Sequence, residues 1–269
     1  MTITVLIENH KDRNTIREEH GISLHVEHNG VHTLMDTGRS GAFVDNASEL
    51  GIDIAAVDHL VISHGHNDHT GGLERFFEAN ASAPVYLAPG AHEEKYSLKR
   101  TIPQFIGTDR GVLEPHADRL SYVSEPTELR GGVLVSPIPE RPDPEPVGNG
   151  HLYVLRSEGR IPDPFDDERF VLIEHADGAV LLTGCSHAGI VNIVREAQRR
   201  LGSKPLTHVI GGFHLVGESE ERIREIAQQL QDIPHIYTGH CTGTEAYEIL
   251  RAELGSRVRY ASGGSQFTV

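Results

Sequence analysis

Apolar and polar residues alternate through residues 3–7, 22–26 and 31–35, the period-two pattern of strands with one buried face. Three in succession predict an antiparallel meander at the start of the chain. A helix is expected over residues 41–50, closed by Gly51, followed by a continuous apolar strand at 59–62, a helix at 73–79 and a strand at 85–87. From about residue 89 to 167 the periodicity weakens, and Pro137, Pro139, Pro142, Pro144 and Pro146 exclude helix or interior strand from their stretch. This middle segment is read as an insertion carrying loops, with short strands near 120–123, 132–135 and 152–155. Regularity returns with a hairpin, 170–173 and 179–183, around Asp177-Gly178. A helix over 188–201 places Ile190, Ile193, Val194, Ala197 and Leu201 on one face. Strands at 207–210, 235–237 and 257–261 then alternate with helices at 220–230 and 245–254. Early meanders followed by alternating strands and helices predict an α/β (α+β) chain of sheets covered by helices, one domain spanning 1–269.

Composition narrows the function classes. With 38% hydrophobic and 23% charged residues the chain has the make-up of a soluble globular protein, and no apolar run approaches the ~18 residues of a membrane span. The first eight residues read as a strand, not a secretory signal, so a cytoplasmic location is expected. A formal charge of −15 with only four lysines (Lys11, Lys95, Lys99, Lys204) argues against nucleic acid as a partner, because binding it needs basic stripes. The scarcity of lysine against arginine fits a GC-rich or a salt-adapted genome, and the acidic excess leans toward high salt. Two cysteines, Cys185 and Cys241, make no disulfide framework, and each lies within two residues of a histidine.

Of the 18 histidines, most must be ordinary residues, but one group stands apart. His64, His66, Asp68 and His69 fall within six residues directly after a buried strand and before Gly71-Gly72. Residues two apart in an extended segment point the same way, so His64 and His66 can grip one ion, while Asp68 and His69 lie one turn on for a second. Imidazole suits zinc, iron or nickel, and the carboxylate offsets part of the metal charge. A metal-free surface cluster would not need this ordered set of ligand types. His10, His20, His25, His28 and His175 lack ligand-type neighbours in sequence and are read as surface residues.

His64-Gly-His-Asn-Asp-His69 resembles the signature of the metallo-β-lactamase superfamily, and Leu34-Met-Asp-Thr-Gly38 resembles its earlier aspartate motif. The segments 183–192 (TGCSHAGIVN), 211–215 (GGFHL) and 238–243 (TGHCTG) resemble the branch named for dihydropterin-ribofuranosylaminobenzene-phosphate synthase. The resemblance covers roughly residues 30–80 and 168–245. It implies an αββα sandwich of two mixed sheets flanked by helices, with two divalent metal ions at one edge. Zinc is the first expectation, with manganese, iron or magnesium as alternatives. It further implies His64 and His66 on the first ion, Asp68 and His69 on the second, His240 as the last histidine ligand, and Asp36 orienting a ligand by hydrogen bond. At Cys185 many members carry a bridging aspartate; here the residue is a thiolate ligand or a small buried side chain. His187, two residues on, points the same way if the loop is extended and is read as a ligand. His214 stands as a ligand, substrate contact or proton donor.

Two ions about 3.5–4 Å apart can share a hydroxide that attacks carbonyl or phosphorus, with Asp68 orienting it and His214 protonating the leaving group. The expected activity is thus hydrolysis of a phosphoester or ester, with a small anionic substrate and no nucleic-acid or membrane partner. The synthase reaction, releasing pyrophosphate, is the alternative, and a non-catalytic metal-dependent binding protein the second. A pterin would need an aromatic wall from Tyr86, Tyr96, Phe105 or Phe165, and a phosphate a grip from Lys99, Arg100 or Arg141. The proline-rich segment 136–150 is expected to line or cover the metal cleft.

Overall fold

The computed structural model describes residues 1–99 and 102–269. Strands β1 (Thr2–Ile7), β2 (Ser23–His28), β3 (Val31–Met35), β4 (His59–Val61) and β5 (Val85–Leu87) lie side by side in that order. Leu120–Tyr122 extends this seven-stranded sheet beyond β5, and Gln266–Thr268 extends it beyond β1. The meander β1–β3 is antiparallel, as its period-two pattern predicts, whereas β3, β4 and β5 are parallel. A second seven-stranded sheet contains β6 (Arg169–His175), β7 (Gly178–Leu182), β8 (Leu206–Gly212) and β9 (His235–Gly239). The hairpin β6–β7 is antiparallel and β7–β8–β9 are parallel, joined by the helices Ile190–Leu201 and Glu220–Gln229. The first of these starts two residues later than the sequence pattern suggests, because Gly189 sits at φ +86° and holds the chain out of helical geometry.

Three apolar layers follow from strand alternation. Ile3, Val5, Val61, Val171, Val180 and Ile210 face inward between the sheets. Leu6, Leu34 and Leu60 turn outward and pack against Phe43 of helix α1 (Ala42–Glu49) and Phe76. On the far side Leu172, Leu181 and Val209 pack beneath Ile193, Ile226 and Leu250. The result is helix, sheet, sheet, helix: an αββα sandwich.

The middle segment contributes to both sheets and to a third. Val133–Pro137 pairs with β6, and Thr127–Leu129 lies beyond it at the edge of the second sheet. Four short strands, Glu94–Ser97, Gln104–Phe105, Leu152–Arg156 and Gly159–Pro162, build a separate small sheet. Among the described residues no helix is long and apolar enough to cross a membrane.

Candidate metal centre

The carboxyl ends of the parallel strands converge on one edge of the sandwich. The chain leaves β3 at Asp36, β4 at Ser63-His64, β7 at Cys185, β8 at His214 and β9 at His240. This is where a parallel sheet opens a crevice for ligands. Among the described residues six non-glycine residues have positive φ, and four of them lie here: Asp36, Ser186, His214 and His240. Such backbone is costly and persists where its surroundings hold it, so its concentration at one edge marks a constrained site.

Among the groups of donor atoms at this edge, two lie around the His64–His69 segment. Asp68, His69, Cys185 and His240 bring one ligand atom each within 4.8 Å of one another, and so do His64, Cys185 and His187. Cys185 belongs to both. His66 lies beside the second group, its Nδ1 3.1 Å from His64 Nε2. Gly65 between them lets the loop press against Ala91, whose carbonyl oxygen would lie 2.1 Å from any added Cβ. That glycine serves close approach, not a positive-φ turn.

One nitrogen of the His64, His69, His187 and His240 rings is held by oxygen. His69 Nδ1 donates to Asp36 Oδ2 at 2.7 Å, His187 Nδ1 to Asn149 Oδ1 at 2.9 Å and His240 Nδ1 to Asn9 Oδ1 at 2.9 Å. Ser63 Oγ gives its only proton to Asp36 Oδ2 at 2.6 Å, so it accepts from His64 Nδ1 at 3.0 Å. His66 Nε2 lies 3.8 Å from Asp163, beyond hydrogen-bond distance, and is buried without a partner. Those four rings are thereby fixed with a free lone pair toward the cluster, the arrangement that metal-binding imidazoles require. Nε2 of His187 and of His240 are buried without a hydrogen-bond partner, which is unfavourable unless another group binds them. The donor set of histidines, carboxylate and thiol therefore fits divalent metal ions.

Electrostatics agree. Burial disfavours a charged His69, but Asp36 and Asp68 outweigh it and raise the ring to about 9. Burial also opposes ionisation of Asp68, yet the charge of His69 and the nearby rings of His20 and His240 hold its carboxyl well below the usual range. The site favours positive charge at this point, whether proton or metal.

Several contributors escaped the sequence reading. His20, expected on the surface, does have an exposed ring, but its Nε2 lies 3.2 Å from Asp68 Oδ2. His25, also expected on the surface, is 3% exposed and paired with His32 at 3.1 Å, because β2 has both faces covered. Asn9 and Asn149 gave no signal beyond being polar. Lys95 is buried and bridges Asp163 at 2.8 Å and Asp167 at 2.9 Å, while Asp167 Oδ2 accepts from the Gly65 amide at 2.8 Å. Glu168 accepts from the amides of His187 and Ala188, and burial pushes its carboxyl up to about 7 against those bonds. The signal was present: four acids in residues 163–168 precede a strand too apolar to leave them all in water.

An open cleft of about 410 Å³ lies over the cluster. His66, Asp68, Cys185, His187, His214 and His240 form its floor; Arg39, Lys99, His151, Val216 and Tyr260 are among its walls. Of the proline-rich segment only its end arrives there, through Gly148 and the Asn149 bond to His187. Arg141 points elsewhere, donating to the carbonyls of Pro164 and Phe165. Arg100 lies outside the described residues. Phe165 is fully buried and stacks on His187 from behind, and Tyr96 packs edge-on against Phe105 away from the cleft.

The metallo-β-lactamase superfamily profile matches residues 22–185. A Methanocaldococcus jannaschii protein, 7,8-dihydropterin-6-methyl-4-(β-D-ribofuranosyl)-aminobenzene-5′-phosphate synthase, is 30% identical over 255 residues, covering 88% of this chain and 85% of its own. The solved structure of Tm1679, described as a metal-dependent hydrolase of the β-lactamase superfamily, is 31% identical with a TM-score of 0.86, covering 100% of this chain and 99% of that one. A diphosphatase of the PhnP family shares the fold, with a TM-score of 0.56 at 16% identity over 100% of this chain and 97% of its own. The chain belongs to the metallo-β-lactamase superfamily.

Proposed function

We propose that this protein is a metal-dependent hydrolase of phosphoesters or esters, working with two divalent ions, zinc or manganese foremost. The observation that carries this reading is the pair of donor groups sharing Cys185 on the floor of an open cleft. His64, His66, His187 and Cys185 would hold one ion, and Asp68, His69, His240 and Cys185 the other. Bound there, such ions supply Lewis acidity and activate water at neutral pH. Asp68, held ionised among His20, His69 and His240, orients the nucleophile toward the open side. Asp36 keeps the proton of His69 on Nδ1 and so leaves Nε2 to the ion. His214, beside His187 with ring centroids 4.2 Å apart, is placed to give a proton to the leaving group. Arg39 and Lys99 bring positive charge to the cleft walls of an otherwise acidic chain, which suits an anionic substrate.

The synthase named for the Methanocaldococcus relative is the second reading, favoured by 30% identity over most of both chains. Condensing a pterin calls for a flat aromatic slot, and among the described residues lining the cleft Tyr260 is the one aromatic other than histidine. That weighs toward hydrolysis. A binding protein without catalysis is disfavoured by the open cleft above two complete donor groups.

The test is a comparison at equal enzyme of phosphodiester and ester hydrolysis with pterin-pyrophosphate condensation, each with manganese or zinc. Hydrolysis with weak or absent condensation is expected. Efficient condensation with negligible hydrolysis would replace this reading with the synthase.

A further inference from the structure

We propose that Cys185, Cys241 and His214 form a third metal position, suited to a thiophilic ion such as Zn²⁺ or Cu⁺, in the floor of the cleft. Both sulfurs and a ring nitrogen of His214 lie within 4.8 Å of one another. Cys241 Sγ sits at the crossing of this group: it donates to the Cys185 carbonyl at 3.4 Å and accepts the backbone N–H of His214 at 3.3 Å. His214 Nδ1 is buried and has no hydrogen-bond partner, so a ring that could have turned to a polar neighbour leaves a lone pair unused.

The chain is shaped to bring these atoms together. His214 and His240, which flank the ends of β8 and β9, both adopt φ +50°, a conformation that needs support from its surroundings. A Cβ at Gly212 would lie 2.5 Å from Cys241 Sγ, so the glycine makes room for the sulfur against the strand end. Close packing of two thiols alone would not account for the unpartnered imidazole nitrogen beside them.

Donor chemistry separates this position from the other two. Two thiolates and one imidazole select soft or borderline ions, whereas the neighbouring groups offer mainly imidazole, with a carboxylate in one. Three donors leave a coordination position toward the cleft that all three residues line. With Nδ1 on the ion the ring proton rests on Nε2, so His214 keeps a proton to donate. Cys185 becomes the joint between this position and the two proposed for hydrolysis.

Full-length protein loaded with Mn²⁺ is titrated with Cd²⁺, following the ultraviolet charge-transfer absorbance of thiolate bound to cadmium. Mn²⁺ prefers oxygen donors and leaves the thiol pair for the softer ion. The expected result is a band with the amplitude of two thiolates per chain, reduced to about half in Cys241→Ser. His214→Ala is expected to weaken the same cadmium equivalent at least about tenfold while the fold is retained. A band equal in wild type and Cys241→Ser would overturn the proposal, and so would wild-type affinity in His214→Ala. If Cys241→Ser fails to fold by circular dichroism, the His214→Ala titration decides alone. The readout needs no turnover, so failure to find hydrolysis would refute the functional reading and leave this result standing.

Discussion

Asp36 Oδ2 lies 2.7 Å from His69 Nδ1, and both side chains are shut off from solvent. The carboxylate also accepts the Ser63 amide at 2.7 Å through Oδ1, so its rotation is fixed by the backbone next to His64. An amide in its place would direct a donor at the Nδ1 proton and drive that proton to Nε2, where the ion should bind. Asp36→Asn is therefore expected to lower metal affinity about 10–100-fold with the secondary structure intact. Competition with a chromophoric chelator measures it, and wild-type affinity would show that the pair is only structural.

Asp68 touches three imidazoles, with Oδ2 at 3.2 Å from His20, 3.4 Å from His240 and 3.9 Å from His69. Asp68→Asn keeps the size and removes the charge. The second ion should be lost first, and turnover should fall about 10²–10⁴-fold, since the variant forfeits the anionic ligand and the orienting group proposed for Asp68. Unchanged turnover would place Asp68 away from the reacting centre.

Lys95 is 1% exposed and neutralises Asp163, which faces His66 at 3.8 Å, and Asp167, which accepts from the Gly65 amide. Lys95→Met leaves two buried carboxylates facing each other. It is expected to cost about 3–5 kcal/mol of stability in urea unfolding, the usual penalty of breaking a buried pair from one side. A loss below about 1 kcal/mol would mean that water already reaches these groups.

His25 supplies a pH test outside the metal edge. Burial, with a smaller contribution from His32, lowers its ring from 6.5 to about 4. Between those values the unfolded chain takes up a proton that the folded chain refuses, so stability falls as pH drops from about 6.5 to about 4. His25→Gln removes that contribution. Its urea midpoint should vary less steeply than that of wild type over this range, and parallel curves would contradict the assignment.

Much of this architecture is legible in the sequence because it is local. Alternation in residues 3–7 and 31–35 marks them as strands, although both faces of β1 turn out buried, and His64-Gly-His-Asn-Asp-His69 declares its chemistry within six residues. What escapes is assembled over distance. Asn9 reaches His240 across 231 positions, and Lys95 reaches Asp167 across 72, so no window of sequence contains either pair. Edge strands such as Gly159–Pro162 have exposed and half-buried residues and thus no clear pattern to read. Arg141 looked suited to a phosphate, yet two backbone carbonyls hold it away from the cleft.

The central claim is that two ions of the oxygen- and imidazole-preferring kind make this protein a hydrolase. Metal-free protein titrated with Mn²⁺, with hydrolysis of a simple phosphodiester read at each addition, tests it most directly. Little turnover is predicted before the second equivalent and a plateau at two, if both donor groups around Cys185 are to be filled as proposed. Full activity at one equivalent, or no hydrolysis at any loading, would contradict it.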